Sequence, residues 1–109
     1  MPTPGYHYLG TVNRVIDGDT VDVDLDLGFH IHIKIRCRIA RINAPEMSTP
    51  EGKLAKGIVM GMLPVGKTVY VVSTTLDRYG RSIAELTVDN KNLTDTLIGN
   101  RPDLFLVYK

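Results

Sequence analysis

Three observations predict an all-β domain with minor α, built as a five-stranded barrel. Its one longer helix would lie between strands three and four, and a short helix near the C-terminus. Two adjacent stretches, Thr20–Leu27 and Ile31–Ile39, alternate strictly between apolar and charged residues. That is the period-2 signature of strands with two unlike faces. Two more apolar runs, Lys67–Thr74 and Ser82–Val88, flank a basic, glycine-containing loop. Between these pairs stands one stretch with helical spacing and its own start and stop signals.

Met1–Gly5 reads as a loose arm, and Tyr8–Ile16 as a first strand ending at Asp17-Gly18-Asp19. Asp-Gly is a turn signal, because Gly accepts positive φ and Asp bonds its own backbone. In Thr20–Leu27, Val21, Val23, Leu25 and Leu27 oppose Asp22, Asp24 and Asp26. Gly28 links this strand to the next, where Ile31, Ile33, Ile35, Cys37 and Ile39 alternate with His30, His32, Lys34, Arg36 and Arg38. The two should form a hairpin. Matching like faces puts Asp26 opposite His30, Asp24 opposite His32 and Asp22 opposite Lys34, and brings Gly18 beside Arg38. The third strand then empties into Asn43-Ala44-Pro45-Glu46, where Pro45 cannot donate to a ladder.

Thr49-Pro50-Glu51 is a helix start, with an N-cap, a first-turn proline and an acid. Leu54, Ile58, Val59, Met62 and Leu63 repeat at helical spacing until Pro64. Lys67–Thr74 is the fourth strand, Leu76–Arg81 a loop, Ser82–Val88 the fifth strand and Asp89–Lys91 a turn. A short helix over Leu93–Ile98 is capped by Asn92 and stopped by Gly99-Asn100. The apolar end, Leu104–Lys109, must pack on something. Five short strands with this helix placement predict a closed Greek-key barrel of the OB type. Closure explains why so many strand edges need no other cover.

A chain of 109 residues is read as one domain spanning 1–109. It contains no run of about 18 apolar residues that could cross a membrane. The N-terminus lacks the basic and apolar regions of a signal peptide, so an intracellular location is expected. A single cysteine excludes an internal disulfide, and Cys37 on the apolar face reads as a core residue. The net charge is +1 and the pI near 7.9. Nucleic-acid-binding domains usually lie above about 9, so a polyanion site here must be a local basic cluster.

The acidic row Asp22, Asp24, Asp26 is not an EF-hand, since Leu27 and Ile33 stand where Gly and Glu are needed. With His30 and His32 it reads as a cross-strand charge ladder rather than a metal site. Taken singly, Asp17-Gly18-Asp19-Thr20, Asn43-Ala44-Pro45-Glu46 and Asp77-Arg78-Tyr79-Gly80-Arg81 are turns or polar loops. The signal is the set, in this order, with this strand pattern between its members.

That set resembles the staphylococcal nuclease (thermonuclease) family. The matching stretches are V-I-D-G-D-T-V at 15–21, C-R-I-A-R-I-N-A-P-E at 37–46 and D-R-Y-G-R at 77–81. The resemblance runs from the first strand to the short C-terminal helix. It implies an OB barrel and a Ca²⁺-dependent nuclease acting on DNA or RNA, in which water attacks phosphorus in line and the 5′ oxygen leaves. It also implies roles by position. Asp19 would be a carboxylate ligand of Ca²⁺, Asn43 stands where the family commonly has a second metal-binding Asp, and Ala44 would offer its carbonyl. Glu46 would be the general base or water-orienting group. Arg38 and Arg81 would grip the scissile phosphate, Arg78 and Tyr79 a neighbouring one, and Tyr108 would lie near the substrate base.

The chemistry agrees with these roles. Phosphodiester cleavage needs a hard cation, fixed positive charge at the developing oxyanions and a positioned water. Arginine binds two phosphate oxygens at once and does not deprotonate. A monomer that meets nucleic acid and no membrane is the expectation. The alternative is a non-catalytic OB module binding nucleic acid through a basic groove and stacked aromatics. Against it, a pure binder has no use for Glu46 beside a phosphate, which it would repel.

Overall fold

The computed structural model describes residues 6–76 and 82–107. Their strands are β1 (Tyr6–Asp17), β2 (Thr20–Asp26), β3 (His32–Ile39), β4 (Ile42–Asn43), β5 (Thr68–Leu76), β6 (Ser82–Val88), β7 (Lys91–Asn92) and β8 (Leu106–Val107). The helices are α1 (Pro50–Met62), between β4 and β5, and α2 (Leu93–Asn100), between β7 and β8. The main sheet has the order β3-β2-β1-β5-β6-β7, and a parallel pairing of β3 with β6 closes it on itself. Strands β1, β2, β3, β6 and β5 thus form a closed barrel, as predicted. Bulges in β1 between Val12 and Arg14 and between Val15 and Asp17 bend that long strand around the barrel.

The inward side chains make one apolar core. Val12, Val21, Val23, Cys37, Ile39, Val71 and Leu86 are fully buried in it. α1 contributes Ala55 and Val59, α2 contributes Leu93 and Leu97, and the C-terminal stretch adds Phe105. Burying Cys37 pushes its thiol up to about 11, so it stays a neutral core side chain.

Several expectations need correction. The β2–β3 hairpin forms, but its register is Asp26↔His32, Asp24↔Lys34, Asp22↔Arg36 and Thr20↔Arg38. That is two residues from the predicted pairing. The link is longer than Gly28 alone: Leu27 N donates to Ile31 O at 2.9 Å, and Gly28, Phe29 and His30 all have positive φ. A two-residue slip leaves every side chain on its expected face, so face matching could not detect it. The hairpin also extends past the core, leaving Ile31 54% and Ile33 44% exposed.

β3 ends at Ile39, before the expected exit at Asn43, and the chain turns at Ala40-Arg41 before the short β4. In α1 the inward stripe is Ala55, Val59 and Leu63, while Leu54 is half exposed. Ala55 is fully buried where the β1–β2 turn packs on α1. α2 runs through Gly99 to Asn100 and ends at Arg101, which precedes Pro102 and is pushed out of helical backbone. Beyond it, Leu104 and Phe105 are buried, and β8 pairs with β4 through Ile42↔Val107 and Asn43↔Leu106. Of the apolar end, Leu104 and Phe105 do pack, Leu106 and Val107 stay largely exposed while pairing with β4 beside Asn43, and Tyr108 and Lys109 lie outside the described residues.

Candidate functional site

The turn between β1 and β2 supplies the first acid. Asp17 Oδ1 accepts from Asp19 N at 3.0 Å, closing the turn around Gly18. A Cβ on Gly18 would lie 2.7 Å from Ala44 Cβ and 2.9 Å from Ala55 Cβ. Only glycine lets this turn seat against both the loop after β4 and the α1 helix. Asp19 then joins three segments. Its carbonyl accepts from Ile39 N at 2.8 Å, its Oδ2 from Ala44 N at 3.0 Å, and its Oδ1 from Thr20 Oγ1 at 3.2 Å.

β3 delivers Arg38 to the same place. Arg38 Nη2 stands 3.5 Å from Asp19 Oδ2 and 3.5 Å from Asn43 Oδ1, and its Nη1 donates to Ile39 O at 2.8 Å. The Asp19 and Arg38 side chains are each only 14% exposed, so water screens their interaction little. Burial acts to raise both neighbouring acids. In Asp17 it is outweighed by hydrogen bonds from the Asp19 side chain and backbone, and the pKa falls below the usual aspartate value. In Asp19, burial together with the hydrogen bond to Asp17 holds it above that value.

The loop after β4 is pinned at both ends. On one side, Arg41 holds a left-handed backbone with φ 68°. Its guanidinium meets Glu85 through Nε at 2.6 Å and Nη2 at 3.0 Å, Asn92 Oδ1 at 3.1 Å and Asp95 Oδ1 at 3.0 Å. On the other side, the carbonyl of Glu46 accepts from Thr49 N at 3.0 Å and Thr49 Oγ1 at 2.7 Å. Thr49 Oγ1 also accepts from Gly52 N at 3.1 Å, capping α1. A side chain on Gly52 would strike the Glu46 carbonyl. Glu46 thus has a fixed backbone and an exposed side chain at the rim.

Of the residues picked from sequence, the structure brings Asp19, Arg38, Asn43 and Ala44 into contact and sets Glu46 in the same loop. Arg78, Tyr79, Arg81 and Tyr108 lie outside the described residues. On the described side of that segment, Ser82 pairs with Cys37, next to Arg38. Sequence reading missed Asp17, Gly52 and Arg41 as parts of the site. The Asp-Gly-Asp turn held a clue to the first, and a glycine in the first turn of a capped helix to the second. Nothing local marked Arg41, whose partners lie 44 to 54 positions away.

The outer row is separate. Asp22 binds Arg36 at 2.9 and 3.3 Å and Arg14 at 3.6 Å, and Asp24 meets His32 at 3.6 Å. It is a row of charged and polar side-chain contacts on an exposed face.

The acceptors gathered at the turn are all oxygens: the Asp19 carboxylate beside that of Asp17, and the Asn43 amide, while Ala44 meets Asp19 through its N–H. In kind they fit a hard divalent cation. Two of them, Asp19 Oδ2 and Asn43 Oδ1, already converge on one positive nitrogen of Arg38. In charge the set is lean, and no group of three or more His, Cys, Asp or Glu suited to a metal occurs among the described residues.

Comparison with known proteins adds an independent line. The family described as staphylococcal nuclease homologue matches residues 36–100, more than half of the chain. An uncharacterized endonuclease of Escherichia coli O157:H7 is 36% identical over 77 residues, 71% of this chain and 46% of that protein. A second uncharacterized endonuclease, from Escherichia coli, matches to the same extent. Protein ParB of Escherichia coli is 36% identical over 80 residues, 73% of this chain and 42% of that protein. The match therefore spans somewhat less than half the length of each relative.

Proposed function

The chain belongs to the staphylococcal nuclease homologue family, and from that premise we propose that it is a Ca²⁺-dependent nuclease hydrolysing phosphodiester bonds in DNA or RNA. The observation that carries this reading is the convergence of Asp19, Arg38 and Asn43 at one point, beside a loop that presents Glu46. The relatives named as endonucleases support it.

Asp19, Asn43 and the Ala44 carbonyl would hold the cation. When bound, a divalent ion polarises phosphoryl oxygens and makes nearby water a better nucleophile. Arg38 lies beside Asp19 and Asn43, where its guanidinium would bind a phosphate oxygen whose charge grows during attack. Glu46 is exposed on a backbone it cannot leave, so its carboxylate can orient a water and take its proton. By their matched positions, Arg81 would share the clamp, Arg78 and Tyr79 would hold an adjacent phosphate, and Tyr108 a base.

The direct test is hydrolysis of single-stranded DNA and of RNA, with Ca²⁺ and with chelator, by the wild type and by Glu46→Gln. Chelation should abolish activity. The substitution should lower kcat by about 10²–10⁴-fold, the usual contribution of a general base, with an unchanged thermal melt. Near-normal turnover by folded Glu46→Gln removes the assigned role, and activity in chelator removes the cation.

A further inference from the structure

We infer that Arg41 is a positioning residue for the loop carrying Asn43, Ala44 and Glu46, acting through the backbone from outside the site. This rests on the nuclease reading for its kinetic consequence but not for its structural one.

Arg41 occupies a left-handed conformation, φ 68°, that side-chain-bearing residues take reluctantly. What offsets the strain is the guanidinium, which makes four hydrogen bonds to three acceptor residues. Glu85 on β6 takes Nε and Nη2 in a two-pronged pair at 2.6 and 3.0 Å. Asn92 Oδ1, from the residue that caps α2, accepts from Nη2 at 3.1 Å, and Asp95 Oδ1 in the first turn of α2 accepts from Nη1 at 3.0 Å. Asn92 Nδ2 in turn donates to Glu85 Oε1 at 3.1 Å, so the acceptors are tied to one another. The preceding residue is fixed to the same two elements: Ala40 N donates to Ala84 O at 2.9 Å, and Thr94 Oγ1 donates to Ala40 O at 2.8 Å. Ile42, next along, is fully buried.

Only Ile42 therefore separates this anchor from Asn43, whose Oδ1 points to Arg38, and one residue more reaches Ala44, whose N–H holds Asp19 Oδ2. An isolated surface ion pair contributes little. This one is different because it sets the backbone of a strained residue two positions from a site ligand. Losing it loosens that end of the loop, which Ala40, buried Ile42 and the β4–β8 pairing then hold alone, while the Thr49 anchor remains at the other.

The test uses the whole chain. Arg41→Met removes the clamp, Arg41→Gly removes it but accepts the left-handed backbone without strain, and Arg41→Lys keeps charge without the fork. The first readout is amide hydrogen exchange in metal-free protein. In Arg41→Met, Ala44 N–H should exchange at least about tenfold faster as the loop opens locally, while Val69 and Val71 in the core keep wild-type protection. The second is kinetics well below the melting temperature. Loss of a supporting contact behind a site typically costs about 10–100-fold, expected here in kcat with KM within about twofold. Arg41→Lys should recover part of both. Glu85→Gln serves as the second variant should Arg41→Met fail to fold.

Wild-type Ala44 exchange and kcat in folded Arg41→Met overturn the inference. Wild-type behaviour of Arg41→Gly also overturns it, since the backbone shape and not the clamp would then be what matters. A wild-type chain that cleaves neither DNA nor RNA defeats the nuclease reading alone, and the exchange measurement still decides the role of Arg41.

Discussion

At Asn43 an amide oxygen faces Arg38 Nη2 across 3.5 Å, where a carboxylate would add a second full negative charge beside Asp19. Calcium affinity follows the charge and rigidity of its oxygen ligands. Asn43→Asp should therefore tighten Ca²⁺ binding in the nucleic-acid-free protein, measured by titration calorimetry at matched ionic strength. Equal or weaker binding would mean that position 43 is not a ligand. A different constraint acts one turn away. A Cβ on Gly18 would lie inside contact distance of both Ala44 Cβ and Ala55 Cβ. Neither neighbour is a flexible side-chain end, so the β1–β2 turn must move. Gly18→Ala should cost about 1–3 kcal/mol in urea unfolding, the usual price of overpacking. It should also lower nuclease activity in the fraction that folds, because the same shift carries Asp19 away from Ala44 N.

On the scale of elements, the site is a junction of the β1–β2 turn, the end of β3 and the loop into α1, and the β6–α2 corner holds that loop from behind. Glu85 shows how firmly. Burial acts to raise its pKa, yet the hydrogen bonds from Arg41 and Asn92 outweigh it and the pKa falls below the ordinary 4.5. A carboxylate depressed on folding adds stability that is fully present above its unfolded value and is lost as pH falls through its folded value. Arg41 stays charged throughout. The stability gap between wild type and Glu85→Gln should therefore be widest above pH 4.5 and shrink as the solution is acidified below it. Chemical denaturation of both proteins across that range measures the gap, and a gap that widens with acid would contradict the assignment.

The whole molecule measures 42 Å along one axis against 30 and 29 Å on the others. The β2–β3 charged row lies on an exposed face of the barrel, and His30 sits in the turn beyond it. Exposed pairs of this kind contribute about 0–1 kcal/mol each. The double substitution His30→Ala, His32→Ala should leave both the melting temperature and the proposed Ca²⁺-dependent activity close to wild type. Loss of that dependence in a folded protein would restore these histidines as metal candidates. This contrast between face and site separates what the sequence by itself determined from what it could not. Strand faces, the Thr49 cap, the bounds of β6 and the Asn92 cap were legible because each follows from residues a few positions apart. The family motifs marked Asp19, Arg38 and Asn43 by the same local reading. The hairpin register was not legible, because a slip of two residues satisfies the same alternation and only the three-residue left-handed turn at 28–30 selects between them. Nor was the parallel β3–β6 pairing, the approach of Gly18 to Ala55, or the reach of Arg41 to Glu85 and Asp95. Those contacts join positions far apart in the chain. Only closing the barrel decides which of many chemically acceptable partners each residue meets.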